Sequence, residues 1–399
     1  MKIEGVDVGS APAPKLGWFH RYPARFHADT LVEMFDQVCE KLGRTPSTLA
    51  DTFAGTGSAL SFARQLGIAS VGVELSQLGV LICRTRFWPP SDLEAAMRQA
   101  ESIALLAPIV SKYEFPKELV KWLGETNCRS LASYFVAIEK IDDPKLRRWL
   151  KLALSSALRP ASRWLSGSIK AQIDPNRLPT PIARHFLRSA RALKRDCAAE
   201  RASFAENSPV SIYRCDAKTL PLNDRSIDAI ITSPPYWKMY DYFEVHRLTY
   251  LAFKWSYHSS CQIGRFSGVE RDGAGFVPPR YMKDWYSREF RKEETGDGRS
   301  LRAYWYSMRL HVAEAKRVLR NGGVVAYAIA NPIRNGRRFY LAQALATVFK
   351  ETGFREVELQ ERQQSHRRIL PSGRDVATGR FSSNPSGQSV HEYVLYARR

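Results

Sequence analysis

The 399-residue chain has little cysteine, too few acids to balance its bases and no long apolar run, and each shortage excludes something. Its six cysteines, Cys39, Cys83, Cys128, Cys197, Cys215 and Cys261, contain no C-x-x-C pair, so neither a disulfide framework nor a zinc ribbon is expected. Only Cys261 has a histidine at ligand-like spacing, His258, and no second pair completes a site. The thiols are therefore read as reduced and intracellular, with no structural metal. No apolar stretch approaches the length of a membrane span, and the amino terminus lacks a signal-peptide core. Against 60 Lys+Arg stand 40 Asp+Glu, a formal net charge of +20. That excess suits a polyanionic partner, the plain alternative being a solvated positive surface. Hydrophobic content of 44% is ample for a core, and the length fits one or two domains.

What is present centres on Ile230-Ile-Thr-Ser-Pro-Pro-Tyr-Trp237. Ile227 to Ile231, with one Asp, reads as a buried strand. Two prolines cannot continue a ladder, so the strand stops at Ser233. Pro234 and Pro235 make a stiff, donor-poor loop, with the Ser233 side chain and backbone carbonyls able to accept hydrogen bonds and two aromatic rings behind. Such a loop suits a planar base with an exocyclic amino group. A Pro-Pro turn with two core aromatics is the plain alternative.

Upstream, Leu49-Ala-Asp-Thr-Phe-Ala-Gly-Thr-Gly-Ser58 reads as a short strand, a glycine turn and a helix from about Ser58 to Leu66. Gly55 and Gly57 permit backbone angles and close approach that a Cβ blocks. The dinucleotide fingerprint needs a third glycine where Leu60 stands, which disfavours NAD. Ala69 to Leu75 reads as a second strand with Glu74 at its carboxyl end, where acids of open α/β sheets bind ribose hydroxyls.

Together, Asp51-Thr-Phe-Ala-Gly-Thr-Gly57, Glu74 and Thr232-Ser-Pro-Pro-Tyr-Trp237 resemble the amino-methyltransferases that act on DNA. Tyr22-Pro-Ala-Arg-Phe-His27 resembles that family's amino-terminal motif beside the methionine part of the cofactor. Cys215 to Leu222 resembles its third strand end, where an acid reaches the adenine amino group. Val318 to Tyr327 resembles its turn and strand after the fifth helix. The likeness covers roughly 15–88, 210–255 and 300–399. It implies an α/β, Rossmann-like class I methyltransferase sheet ending in an antiparallel strand pair, with S-adenosyl-L-methionine as cofactor. Tyr22, Pro23, Phe26, Asp51, Phe53, Ala54, Gly55, Gly57, Glu74, Asp216 and Thr232 would bind the cofactor, and Ser233, Pro234, Pro235 and Tyr236 would perform the chemistry. In this family Ser before Pro-Pro-Tyr tends to mark N4 of cytosine, and Asp tends to mark N6 of adenine, so cytosine N4 in double-stranded DNA is expected and adenine N6 is the alternative. Ser233 and the Pro234 carbonyl would take the two N–H groups of a flipped-out base, with Tyr236 stacked on it. No cysteine follows a proline, unlike C5-cytosine methylation with its Pro-Cys nucleophile, and the zinc deaminase signature is missing. RNA methylation on an exocyclic amine and a catalytically silent DNA-binding subunit are the remaining alternatives. The likeness leaves room for a cognate restriction endonuclease and implies a cytoplasmic, nucleoid-associated protein of prokaryotic or phage type.

Between these motifs lie two departures. Residues 1–16 read as disordered, and 17–88 with 210–399 as the catalytic domain. From 89 to 209 helical periodicity dominates, as in Leu146, Trp149, Leu150, Ala153, Leu154 and Ala157. This is far longer than an ordinary connection, so it reads as an inserted, mainly helical subdomain and a candidate for DNA binding and target recognition. A second insertion, 256–300, is irregular, basic and aromatic. Arg147, Arg148, Arg163, Arg265, Arg280, Arg367 and Arg368 are the candidate DNA contacts, since arginines fix phosphates. Two strands near 356–359 and 392–396 close the chain.

Overall fold

The computed structural model describes residues 15–22, 25–108, 114–206, 208–237, 241–256, 263, 296–331, 333–334, 337–362 and 391–399. Strands β1 (Thr48–Asp51), β2 (Ala69–Glu74), β3 (Val210–Arg214), β4 (Ile227–Thr232), β5 (Leu319–Asn331), β8 (Arg355–Glu361) and β9 (His391–Arg398) form one seven-stranded sheet in the order β3-β2-β1-β4-β5-β9-β8. The first five run parallel, and β9 pairs antiparallel with both β5 and β8. β6 (Ile333–Arg334) and β7 (Arg337–Arg338) make a separate pair. The α/β sheet with a terminal antiparallel pair is thus as expected. β4 is buried along its whole length, matching its apolar run. β8 is largely exposed and carries Arg355, Glu356, Glu358 and Glu361, charges that protect a sheet edge.

Helices α1 (Ala28–Leu42) and α2 (Ser58–Gln65) cover one face, their apolar stripes meeting Leu49, Ala229 and Ile231. On the other face α10 (Gly296–Val318) and α11 (Leu341–Glu351) pack Trp305, Met308 and Leu345 against Ile230 and Val325. α3 (Gln77–Phe87) follows β2. Four helices, α4 (Leu93–Ala104), α5 (Lys117–Glu139), α6 (Pro144–Ala161) and α7 (Ile182–Arg201), then stand before β3. Their core takes in Leu78 and Ile82 of α3, Phe19 of the amino-terminal strap, and Leu248 and Ala252 near α8 (Tyr242–Val245) and α9 (Arg247–Ala252). The helical block is therefore built into the sheet's surroundings through shared packing.

A buried ion pair fixes the join. Arg86 of α3 and Glu200 of α7 stand 3.3 Å apart with side chains 0% and 1% exposed. Glu200 also accepts from the Gly17 amide at 2.5 Å and the Ser61 hydroxyl at 3.1 Å. Asp196 of α7 accepts from the Trp18 and Phe19 amides, both at 2.9 Å. Residues 17–19 are thus tied to α7. No described helix is long and apolar enough to cross a membrane.

Candidate active site

The strand order reverses between β1 and β4, and ligands of open α/β sheets bind at the carboxyl ends of strands beside such a switch. Asp51, Glu74 and Thr232 end β1, β2 and β4, and Asp216 follows β3. The glycine turn adopts the geometry its residues permit. Gly55 and Gly57 have φ of +52° and +75°, values L side chains seldom adopt. A Cβ on Gly57 would stand 3.1 Å from both Cys83 Sγ and Phe87 Cε2.

Glu74 is held over this turn. One carboxylate oxygen accepts from the Gly55 amide and the other from the Ser76 amide, each at 2.7 Å. Gly79 makes room for it, since a Cβ there would come within 2.6 Å of Glu74 Cγ. Burial raises the Glu74 pKa, opposed by these amides. Tyr22 covers Gly55, its ring edge 3.4 Å from where a Cβ would stand, and stacks on His246 with centroids 4.9 Å apart. Pro23 lies outside the described residues. Phe26 instead packs in the core beneath α1 and α2. Asp51, 2% exposed, accepts from the Thr232 hydroxyl at 2.6 Å and the Phe53 amide at 3.1 Å. Burial pushes it up to about 7 in spite of those two donors. Asp216 is half-buried and accepts from the Lys218 amide at 2.9 Å.

In the Pro-Pro loop, the Tyr236 hydroxyl donates to the Ala328 carbonyl at 3.2 Å. It must then accept from Ser233, whose hydroxyl is 3.1 Å away. This turns the Ser233 proton toward Tyr236 and leaves the serine lone pairs for another donor. Burial keeps the Tyr236 phenol protonated. Its ring is 6% exposed and packs in the core, so the described neighbours of this expected stacking platform are the protein's own. Pro234 is buried and Pro235 half-buried.

Sequence reasoning missed the group beneath Phe53. His311 meets the Phe53 ring edge-on at 4.6 Å between centroids. Its Nδ1 donates to the Ala217 carbonyl at 3.0 Å, so Nε2 accepts from the Tyr327 hydroxyl at 2.7 Å. Burial pushes this imidazole down to about 4, keeping it neutral. A polar residue on the buried face of α10, between Met308 and Val312, was the available signal. Gly79, three residues into α3, carried none.

No family model matches the chain. It is 25% identical over 254 residues to the Type II methyltransferase M.BsoBI of Geobacillus stearothermophilus, a match covering 54% of this chain and 49% of that protein. The chain thus spans about half the length of the relative it matches. Among solved structures, similarity extends to the [4+2]-cyclase SpnF, with TM-score 0.35 and 13% identity over 98% of this chain and 90% of that one. A SAM-dependent methyltransferase from Methanosarcina mazei gives TM-score 0.31 and 8% identity over 88% and 92%. The rRNA methyltransferase aviRa from Streptomyces viridochromogenes gives 0.30 and 12% over 99% and 90%.

The arginines expected at a substrate surface divide. Arg147 sits 3.9 Å from Glu139 and is partly exposed. Arg148 is half-buried, its pKa lowered by burial and then by Arg84. Arg163 donates to the Arg177 and Pro175 carbonyls, each at 3.2 Å, and so braces its own loop. Arg265, Arg280, Arg367 and Arg368 lie outside the described residues, as does most of the expected insertion at 256–300.

Proposed function

We propose that the chain is an S-adenosyl-L-methionine-dependent methyltransferase that modifies an exocyclic amino group of DNA, N4 of cytosine. The observation that carries this is Ser233, a serine whose proton is committed to Tyr236, at the end of a strand beside the glycine turn and Glu74. The residues fit the cofactor. At the turn, Gly55 and Gly57 hold positive φ and present backbone without a Cβ. Each Glu74 oxygen accepts one amide and keeps capacity for a ribose hydroxyl. Bound there, the cofactor supplies an electrophilic methyl group on a sulfonium.

The residues' task is orientation. An aromatic amine is a poor nucleophile because its lone pair is conjugated into the ring. Ser233 Oγ and the Pro234 carbonyl accept the two N–H groups and favour the pyramidal nitrogen, whose lone pair then faces the methyl. Tyr236 fixes the serine rotamer, and the prolines fix the carbonyl. Positioning of reactants supplies most of the rate; one of the two held N–H groups would give up its proton to water once the nitrogen carries the methyl, and no covalent enzyme intermediate is needed. The target amine is unreachable inside a duplex, so the base is flipped out.

The test is nucleoside mass spectrometry of duplex DNA treated with the full chain and cofactor. N4-methylcytosine is expected, and Ser233→Ala should abolish it while calorimetric cofactor binding persists. N6-methyladenine would replace the cytosine reading by the adenine one. 5-Methylcytosine, or a fully active Ser233→Ala variant, would overturn the mechanism.

A further inference from the structure

Behind Tyr22 and His246 opens a cavity of about 640 Å³ between α6, α7, the 162–177 loop and α8–α9. Its lining is strongly basic, with Arg21, Arg159, Arg177, Arg188 and Arg195 against one acid, Asp196. That acid already accepts two strap amides. Arg177 donates to the Trp164 and Pro160 carbonyls at 2.8 and 2.6 Å, and Arg159 donates to Ser168, so these two build the wall. Burial first, and then Arg21 and Arg177 nearby, push Arg159 down to about 9.

The rim has a second order. Arg184, Arg188, Arg191 and Arg195 recur at i, i+4, i+7 and i+11 of α7, one helical face, and all four are exposed. None of them, nor Arg21, pairs with a carboxylate among the described residues. The row is about 16 Å long at the helical rise per residue, the axial length of about five phosphates on one duplex strand. His246 lines the cavity, is 5% exposed, and its Nε2 has no hydrogen-bond partner among the described residues. It stacks on the Tyr22 ring that covers the glycine turn, so the cleft adjoins the candidate active site.

We infer that the α7 arginine row and the cleft beneath it hold the phosphodiester backbone of the DNA substrate. This rests on DNA being the substrate, and it adds the α7 row to the candidate contacts Arg147, Arg148 and Arg163. Phosphate oxygens would pair with Arg188 and Arg195, whose guanidinium groups offer bidentate donors. α8 and α9, which follow the Pro-Pro loop directly, would register the backbone against the flipped base.

The test compares the intact protein with Arg188→Glu/Arg195→Glu and with a charge-matched control, Lys350→Glu/Arg355→Glu, at exposed positions on the far side of the sheet. Binding of a fluorescent 20-mer DNA duplex is followed by anisotropy across salt, and S-adenosylmethionine binding by calorimetry. In the α7 variant duplex affinity should fall at least about tenfold and the slope of log affinity against log salt should flatten by about two. The control should match the wild type, and cofactor affinity should be unchanged in all three. If the wild type and the α7 variant bind duplex with the same affinity and slope, the inference fails while the proposed function stands. If the wild type binds cofactor but no DNA duplex, or only RNA, the proposed substrate itself fails.

Discussion

Among single residues, Asp51 is the most informative. It is buried at the end of β1, and burial raises it to about 7. The folded protein therefore holds a proton there that the unfolded chain, with an ordinary carboxylate near pKa 3.9, has released above about pH 4. The sign follows from linkage: this contribution to stability is full below about pH 4 and is lost as pH rises through about 7. Wild type should accordingly gain stability over Asp51→Asn as the pH is lowered from 8 to 5, measured by urea denaturation. The cofactor brings a sulfonium and an ammonium, and cations favour the ionised carboxylate. Cofactor affinity should then rise between pH 6 and 8 in the wild type and stay level in Asp51→Asn. A wild-type affinity independent of pH would show that Asp51 does not sense the bound cation. His311 shows the limit of reading residues from sequence. Its role depends on Ala217 and Tyr327, which lie 94 and 16 positions away.

At the scale of elements, the glycine turn, the acid after β2 and the Pro-Pro loop were legible because each is a local device. Two glycines, an acid at a strand end and two prolines restrict the backbone over a few residues, and the sheet then gathers them at one edge. The arginines were less legible, because a charge in sequence does not disclose its partner. Arg163 braces its own loop, while the row on α7 is unpaired among described residues. The Arg86–Glu200 pair was also hidden, joining helices 114 positions apart in sequence. Removing one member of a fully buried pair leaves an uncompensated charge. Glu200→Ala should therefore cost about 3–5 kcal/mol in chemical denaturation. Replacing both, as in Arg86→Met with Glu200→Leu, should recover part of that loss because neither charge remains. A single-variant loss below about 1 kcal/mol would mean that the pair is already solvated in solution.

At the scale of the molecule, the described positive charge falls into two regions. The sheet's amino-terminal edge holds a compensated cluster, in which Asp228 accepts from Arg44 at 2.9 Å and Arg320 at 2.8 Å. Arginine with no carboxylate partner among the described residues gathers on α7 of the helical block. The strap at residues 17–19 links the two regions. It crosses to the glycine turn through Tyr22, yet its amides are held by Glu200 and Asp196 of α7. This makes the helical block a poor unit for exchange. A graft whose incoming block lacks acids at the positions of Asp196 and Glu200 would leave the recipient's strap untied and the lid over its glycine turn unmoored. Transfer of a block without those acids, residues 93–201 alone, should lose S-adenosylmethionine binding, whereas transfer together with 15–27 should keep it. Calorimetry on the two chimaeras separates these outcomes, and equal cofactor affinity in both would show that the lid closes without its tether. The strap and α7, distant in sequence, thus act as one mechanical unit.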